Sequence, residues 1–321
     1  LSPSRRILLT PWMPAGVALA IAIVAPNLAW QAAHGWPMIE LLQNGQHGKN
    51  VILTPLQFAL ADVVIFNPLL SLVWIAGLAF AFIRPTTRWI AWTFAITMVV
   101  MIVLHANYPA DAFALVFATG AIAVELATRR AALLRPIVAA IAVLAGAALL
   151  PLATPILSEP HLVAYATAVS HVLSHQAEEH HKTPPIPSGL ADMHGWPEMA
   201  AAVAGVYDGL TPTERATAGI NAGNYGEASA INFFGPALGL PTASSGHNQY
   251  WIWGPHFHRG DVLIDVNGDE STLRRVCKSV TLATTFSNDW NMPYESDLPI
   301  YVCRGLNVDV AKIWPLVKNY N

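Results

Sequence analysis

Seven residues in the second half of the chain carry side chains suited to carbohydrate recognition: Asn224, Tyr225, Glu227, His247, Asn248, Tyr250 and Trp253. Sugars offer CH faces that stack on aromatic rings, and hydroxyls that exchange hydrogen bonds with amides and carboxylates; this set supplies both partners. The alternative is structural, with Gly226 and Gly246 making turns and the aromatic rings packing a sheet. A second group, Glu40, His47, Lys49, Asp62, His105 and Tyr108, lies in the first half. His47, Lys49, His105 and Tyr108 are hydrogen-bond donors and cations of the kind that stabilise negative charge. Glu40 and Asp62 are the acids able to hold a sugar hydroxyl or a divalent metal, and each also fits an ordinary place at a helix end or a membrane interface.

Two further groups have weaker chemical signatures. His171 and His175 are four apart, so a helix would put them on one face with Glu178 or Glu179, a geometry able to hold a divalent metal. The spacing differs from His-Glu-x-x-His, and a solvated helix leading into the stiff Thr183-Pro184-Pro185-Ile186-Pro187 connector accounts for the same residues. Cys277 and Cys303 form a disulfide between a helix and the final strand in an oxidising compartment, or remain as two buried thiols. No Gly-rich phosphate loop follows a strand pattern, and no basic aromatic patch points to nucleic acid.

The elements that position these residues divide into two kinds. The chain of 321 residues is 54% hydrophobic and only 12% charged, which excludes disorder and an ordinary soluble enzyme. Net charge is +4 over residues 1 to 155 and −7 over the remainder. Five apolar stretches in the first half reach roughly the ~20 residues that a membrane-crossing helix needs. They run from about Pro14 to Trp30, Val63 to Ile83, Trp89 to Leu104, Ala112 to Ala127 and Pro136 to Pro155, with one charge among them, Glu125. If these alternate, Arg5, Arg6, Arg84, Arg88, Arg129, Arg130 and Arg135 fall on one side and Lys49 alone on the other, so the acidic half is expected outside. Residues 31–62 read as an interfacial outer loop anchored by Trp36, and His105 to Asp111 as a second outer turn.

The second half alternates helix and strand signals. Helices are expected over Trp196 to Tyr207, Tyr225 to Phe234, Ser271 to Ser279 and Val308 to Lys318. Strands are expected over Ala216 to Asn221, Pro241 to Ser244, Asp261 to Val266, Val280 to Phe286 and Ile300 to Arg304. The reading is a membrane α-helical domain over 1–157, a His/Pro-rich linker over 158–189 and an extracytoplasmic α/β domain over 190–321.

Several motifs carry a family resemblance. Pro26-Asn27-Leu28-x-Trp30-Gln31-x-x-His34-Gly35-Trp36-Pro37 and Asn67-Pro68-Leu69 resemble bacterial polytopic membrane glycosyltransferases related to protein O-mannosyltransferases and aminoarabinose transferases, the GT-C family 39 group. Asn224-Tyr225-Gly226-Glu227-Ala228, Gly239-Leu240-Pro241, Ser245-Gly246-His247-Asn248-x-Tyr250-x-x-Trp253-Gly254-Pro255, Met292-Pro293-Tyr294-Glu295 and Ile300-Tyr301-Val302-Cys303-Arg304 resemble the same family's C-terminal domain, and are the more specific set. The resemblance implies a GT-C fold in the bacterial inner membrane, with a periplasmic C-terminal domain. It also implies transfer of a sugar from a polyprenyl-phosphate donor to an acceptor at the outer face. In that family the catalytic carboxylate sits in an N-terminal membrane segment to which nothing here corresponds, so the base is expected from a preceding segment or a partner chain. His105 stands where relatives commonly carry Lys ahead of a Tyr pair. The alternative is a non-catalytic module that holds the lipid carrier or the acceptor.

Overall fold

The computed structural model describes residues 9–46, 51–105, 110–170, 182–257 and 262–320. These fall into two compact units. One contains the helices up to residue 158 with the later part of the eighth helix; the other contains Glu159–Val163 and the described residues from 182 onward.

The first unit is helical: α1 (Trp12–Ala33), α2 (Pro37–Asn44), α3 (Pro55–Ile65), α4 (Pro68–Ile83), α5 (Arg88–Val103), α6 (Ala110–Ala127), α7 (Leu134–Ala153) and α8 (Glu159–Ser170). At 1.5 Å per residue, α1 and α7 are about 33 and 30 Å long, enough to cross a bilayer core. Their mean hydropathies are 1.6 and 2.3. None of the residues of α1 is buried by protein, as befits a helix solvated by lipid.

The run expected as one span over Val63 to Ile83 is instead two helices, α3 and α4, bent by 115°. Pro68 has no N–H to continue α3 and disfavours helical backbone at the residue before it. Asn67 accordingly sits at φ 68°, and its Oδ1 accepts from Leu69 N at 3.0 Å to start α4 afresh. Its Nδ2 donates to the Ala145 carbonyl of α7 at 2.9 Å. α5, at 16 residues, is shorter than a full crossing. Among the described residues two helices are long and apolar enough to span a membrane, or three if the bent pair is one span, in place of the expected five.

The helices pack through small residues. A Cβ on Gly77 of α4 would lie 2.0 Å from the Val116 carbonyl, and one on Gly120 of α6 2.2 Å from that of Val73. The two backbones therefore touch, as in helix pairs that associate without a hydrophobic driving force. Thr119 Oγ1 donates across the contact to Gly77 O at 3.1 Å. Trp74, Phe94, Phe113 and Val116 fill the space beside it.

The second unit holds α9 (Ser188–Ala191), α10 (Trp196–Asp208), α11 (Pro212–Arg215), β1 (Gly219–Ala222), α12 (Tyr225–Phe234), β2 (Ala243–Ser245), α13 (Gln249–Trp253), β3 (Val262–Val266), α14 (Glu270–Val276), β4 (Cys277–Phe286), β5 (Leu298–Leu306) and α15 (Val310–Ile313). The sheet order is β2-β1-β3-β5-β4. β2, β1 and β3 are parallel, while β5 runs antiparallel to β3 and β4. β3, Val-Leu-Ile-Asp-Val, is buried along its whole length, the mark of a strand covered on both faces. Met199 and Val203 of α10 and Ala228 and Ile231 of α12 close the core over Ile220, Ile264 and Ile300.

Two expected helices end early. The helix expected to reach Ser279 ends at Val276, and β4 begins at once with Cys277 in extended backbone, φ −119° and ψ 145°. The residues that follow, Val280 and Thr281, are β-branched and favour the strand. Cys277 and Cys303 are bonded, with Cα atoms 5.7 Å apart, so the link joins two adjacent strands instead of a helix and a strand. The closing helix expected over Val308 to Lys318 is one turn, α15, followed by a 3₁₀ turn over Trp314–Val317, because Pro315 removes a helix donor.

Candidate ligand site at the carboxyl edge of the sheet

β1 leads through α12 to β2 on one side, and β3 pairs with β1 on the other. The carboxyl ends of β1 and β3 thus flank a topological switch point, where an open α/β sheet leaves a crevice for ligands. The loop entering α12, the turn after β3 and the loop entering β5 all meet there, because Val266 at the end of β3 is paired with Ile300 near the start of β5.

Asn224 and Glu227 build the first wall. Asn224 Oδ1 accepts from Glu227 N at 3.0 Å and Glu227 Oε2 accepts from Asn224 N at 3.4 Å, a capping box that starts α12. The same carboxylate does more than cap. Its Oε2 accepts from Gly223 N at 2.8 Å, and its Oε1 from Asn224 Nδ2 at 2.9 Å and Asn267 Nδ2 at 2.7 Å. Asn267, at φ 62°, adopts the left-handed backbone that Asn tolerates, and so reaches Glu227 from the end of β3. Asn224 Nδ2 also donates to Glu295 Oε1 at 2.8 Å. One amide therefore joins two buried carboxyl groups, both of which titrate above the ordinary range. Burial is the main cause for each. The neighbouring Glu227 charge pushes Glu295 up further, while hydrogen bonds from Asn267, Gly223 and Asn224 partly offset the effect on Glu227. Two carboxyls this close do not both ionise readily, so the pair tends to hold a proton near neutrality. Glu295 Oε2 is buried and accepts no hydrogen bond among the described residues. Beneath the pair, Asp265 of β3 is pushed up to about 7 by burial, with Asn221 Nδ2 donating to its Oδ2 at 2.9 Å.

The mouth of the crevice is aromatic. Tyr225, 48% exposed, meets the ring of buried His247 edge-on, with centroids 4.9 Å apart. His247 follows β2, and its loop is held by the end of the chain: Asn248 N donates to Asn319 O at 2.8 Å and Asn319 N to Gly246 O at 2.9 Å. Asn248 itself adopts φ 51°.

No family model, curated protein or solved structure matches this chain. Its chemistry therefore rests on the residues themselves.

Five of the seven residues expected in this half, Asn224, Tyr225, Glu227, His247 and Asn248, are brought together at the edge. Tyr250 and Trp253 are not. Tyr250 is buried, with its hydroxyl 3.1 Å from Ser229 Oγ and accepting from Asn232 Nδ2 at 3.3 Å, and it lines a separate cavity with Trp253. Sequence reasoning passed over Asn267, Asp265 and Asn221 as site residues. The available signal was an Asp inside the apolar run Val-Leu-Ile-Asp-Val, with Asn-Gly directly after it.

In the helical unit the expected residues are spread over α2, α3 and the turn after α5. Glu40 is half-buried in the first turn of α2. Asp62 of α3 is 5% exposed, and its carboxyl makes no hydrogen bond among the described residues. His105 ends α5 at φ 50°, and Gln46 Nε2 donates to Leu104 O at 3.0 Å, drawing the segment after α2 to that turn. His47, Lys49, Tyr108 and the His171 to His181 cluster lie outside the described residues.

Among the described residues no group of three or more His, Cys, Asp or Glu side chains is arranged to hold a metal. At the sheet edge the reason is visible: N–H donors from Gly223, Asn224 and Asn267 already point at the Glu227 oxygens that a cation would need.

Proposed function

We propose that this chain is the outer-face part of a membrane transferase that moves a sugar from a polyprenyl phosphate to an acceptor, in a multi-pass protein of the bacterial inner membrane whose sheet unit is periplasmic. One observation supports this reading above the others. Three sequence segments that resemble the family's C-terminal domain, around Asn224, His247 and Glu295, lie up to 71 residues apart, yet they converge through the Asn224–Glu295 hydrogen bond and the Tyr225–His247 ring contact. Convergence on a sheet's carboxyl edge is what a ligand site requires.

In this reading the rim of Tyr225, His247 and Asn248 receives the acceptor or closes over the sugar. Lys49, His47, His105 and Tyr108 neutralise the departing phosphate. The general base lies elsewhere than at the sheet edge, because Glu227 is enclosed and committed to internal donors. That commitment favours a second reading, a non-catalytic module that holds the lipid carrier or acceptor.

Purified protein in lipid vesicles, offered a panel of radiolabelled polyprenyl-phosphate sugars and membrane acceptors, separates the two. Movement of label off the carrier is expected, with loss of rate in Lys49→Ala. Carrier binding without movement selects the module, and neither binding nor movement removes both readings.

A further inference from the structure

Away from the carboxyl edge, toward the C-terminal end of α12, lies a cavity of about 380 Å³ between α12, the 3₁₀ turn over Gly235–Leu238 and α13. Its floor is apolar, formed by Ile231, Pro236 and Leu240, and one wall is the ring of Trp253. That ring is 60% exposed and held edge-on by Tyr250, with centroids 4.9 Å apart. An exposed indole on a rigid aromatic support is a ready stacking surface.

The polar groups around it divide cleanly. The Asn232 side chain is committed to β2, donating to Ala243 O at 3.2 Å and accepting from Ala243 N at 2.7 Å. Thr242, His256 and Trp253 also line the cavity, and the hydroxyl, imidazole and indole N–H of these three side chains make no hydrogen bond among the described residues. Among the described residues no Lys, Arg, Asp or Glu lines it. The volume falls in the range of small-ligand sites, which pair apolar walls with a few convergent polar groups.

We propose that this cavity binds a neutral sugar ring, with a CH face on Trp253 and hydroxyls on Thr242 and His256. Among the described residues a phosphate or a uronic acid would find no cation there beyond His256, and a lipid chain would leave three polar groups unpaired. The site is separate from the sheet edge, and its geometry stands whether or not this protein transfers sugar.

The test is saturation-transfer NMR on the full chain in lipid nanodiscs without donor lipid, using methyl α-mannoside, methyl β-glucoside, maltose and cellobiose at millimolar concentration. At least one is expected to bind. Trp253→Ala should weaken it at least tenfold, and Thr242→Ala or His256→Ala several-fold, with unfolding temperatures unchanged. Phe233→Ser, which removes an exposed ring (79%) that does not line the cavity, should leave affinity as it was. Absence of binding by all four sugars overturns the proposal. So does undiminished binding in Trp253→Ala, or equal loss in Phe233→Ser, which would indicate a nonspecific apolar face. Because no donor is present, failure here and failure of sugar transfer are separate results.

Discussion

The two units differ in where many of their buried polar side chains bond. In the helical unit such side chains return their hydrogen bonds to backbone carbonyls: Ser71 Oγ to Pro68 O at 2.6 Å, Thr119 Oγ1 to Gly77 O at 3.1 Å, Asn67 Nδ2 to Ala145 O at 2.9 Å and Thr128 Oγ1 to Val124 O at 2.7 Å. In the sheet unit Asn224, Glu227, Asn267 and Glu295 bond to one another. Side chain to side chain bonds are the minority class in folded proteins, and buried networks of them specify one arrangement at high cost if broken. The difference teaches where chemistry can reside. Polar groups spent on backbone hold helices together in an apolar solvent, whereas a network of amides and acids at a sheet edge is a preorganised site. Asp62 departs from the helical unit's rule, as a buried acid that makes no such bond among the described residues, which marks it as a candidate for a functional role.

The largest expected effect lies in the helical unit. Gly77→Leu drives a side chain into the Val116 carbonyl, and overpacking of this kind should cost about 3 kcal/mol or more. In detergent the helical unit should lose its cooperative unfolding, while a disulfide-linked fragment of the sheet unit survives proteolysis. If both units fail together, the division drawn above is wrong.

Reduction of Cys277–Cys303 acts on the other side of the comparison. The 26-residue separation corresponds to about 3.5 kcal/mol of stabilisation by loop-closure entropy. Cys303→Ser should lower the unfolding temperature of the sheet unit and leave the detergent stability of the helices unchanged.

The mildest effect is electrostatic. Glu227, Glu295 and Asp265 all titrate higher in the fold than in the unfolded chain, where carboxyls titrate near 4. Between about pH 4 and about 7 the folded state holds more protons, so stability is greatest at the acid end of that window and falls as pH rises through it. A thermal-unfolding series from pH 5 to 8 should show the sheet unit weakening. Glu295→Gln, which keeps an oxygen for Asn224 Nδ2 but cannot ionise, should flatten the slope. A slope of opposite sign, or one unaltered by Glu295→Gln, would count against a shared proton.

Legibility in the sequence followed the range of the interaction. The α12 boundaries, Tyr225 to Phe234, were readable because the Gly223-Asn224 turn before them is a local signal, and the Asn224–Glu227 capping box that the structure adds is equally local, three residues apart. β3 was readable from its apolar run. The break at Asn67 was not, since a hydrophobic stretch from Val63 to Ile83 outweighs a single Asn-Pro in any average over about 20 residues, although that pair decides the geometry. Nor did anything near Asn224 announce Glu295, 71 residues on, or Asn267. Contacts made by topology leave no local pattern. Tyr250 and Trp253 share a motif with His247, yet α13 carries them away from the sheet edge toward the second cavity.

The central claim, that the apolar unit lies in lipid and the sheet unit on the oxidising outer face, is tested most directly by the sidedness of the disulfide. Sealed right-side-out membrane vesicles would be treated with a membrane-impermeant reductant and then an impermeant maleimide, with Cys277 and Cys303 as the only thiols in the chain. Labelling in these vesicles, and none in inverted vesicles until they are lysed, is the expected result. Labelling in inverted vesicles alone would put the sheet unit in the cytoplasm and contradict transfer at the outer face.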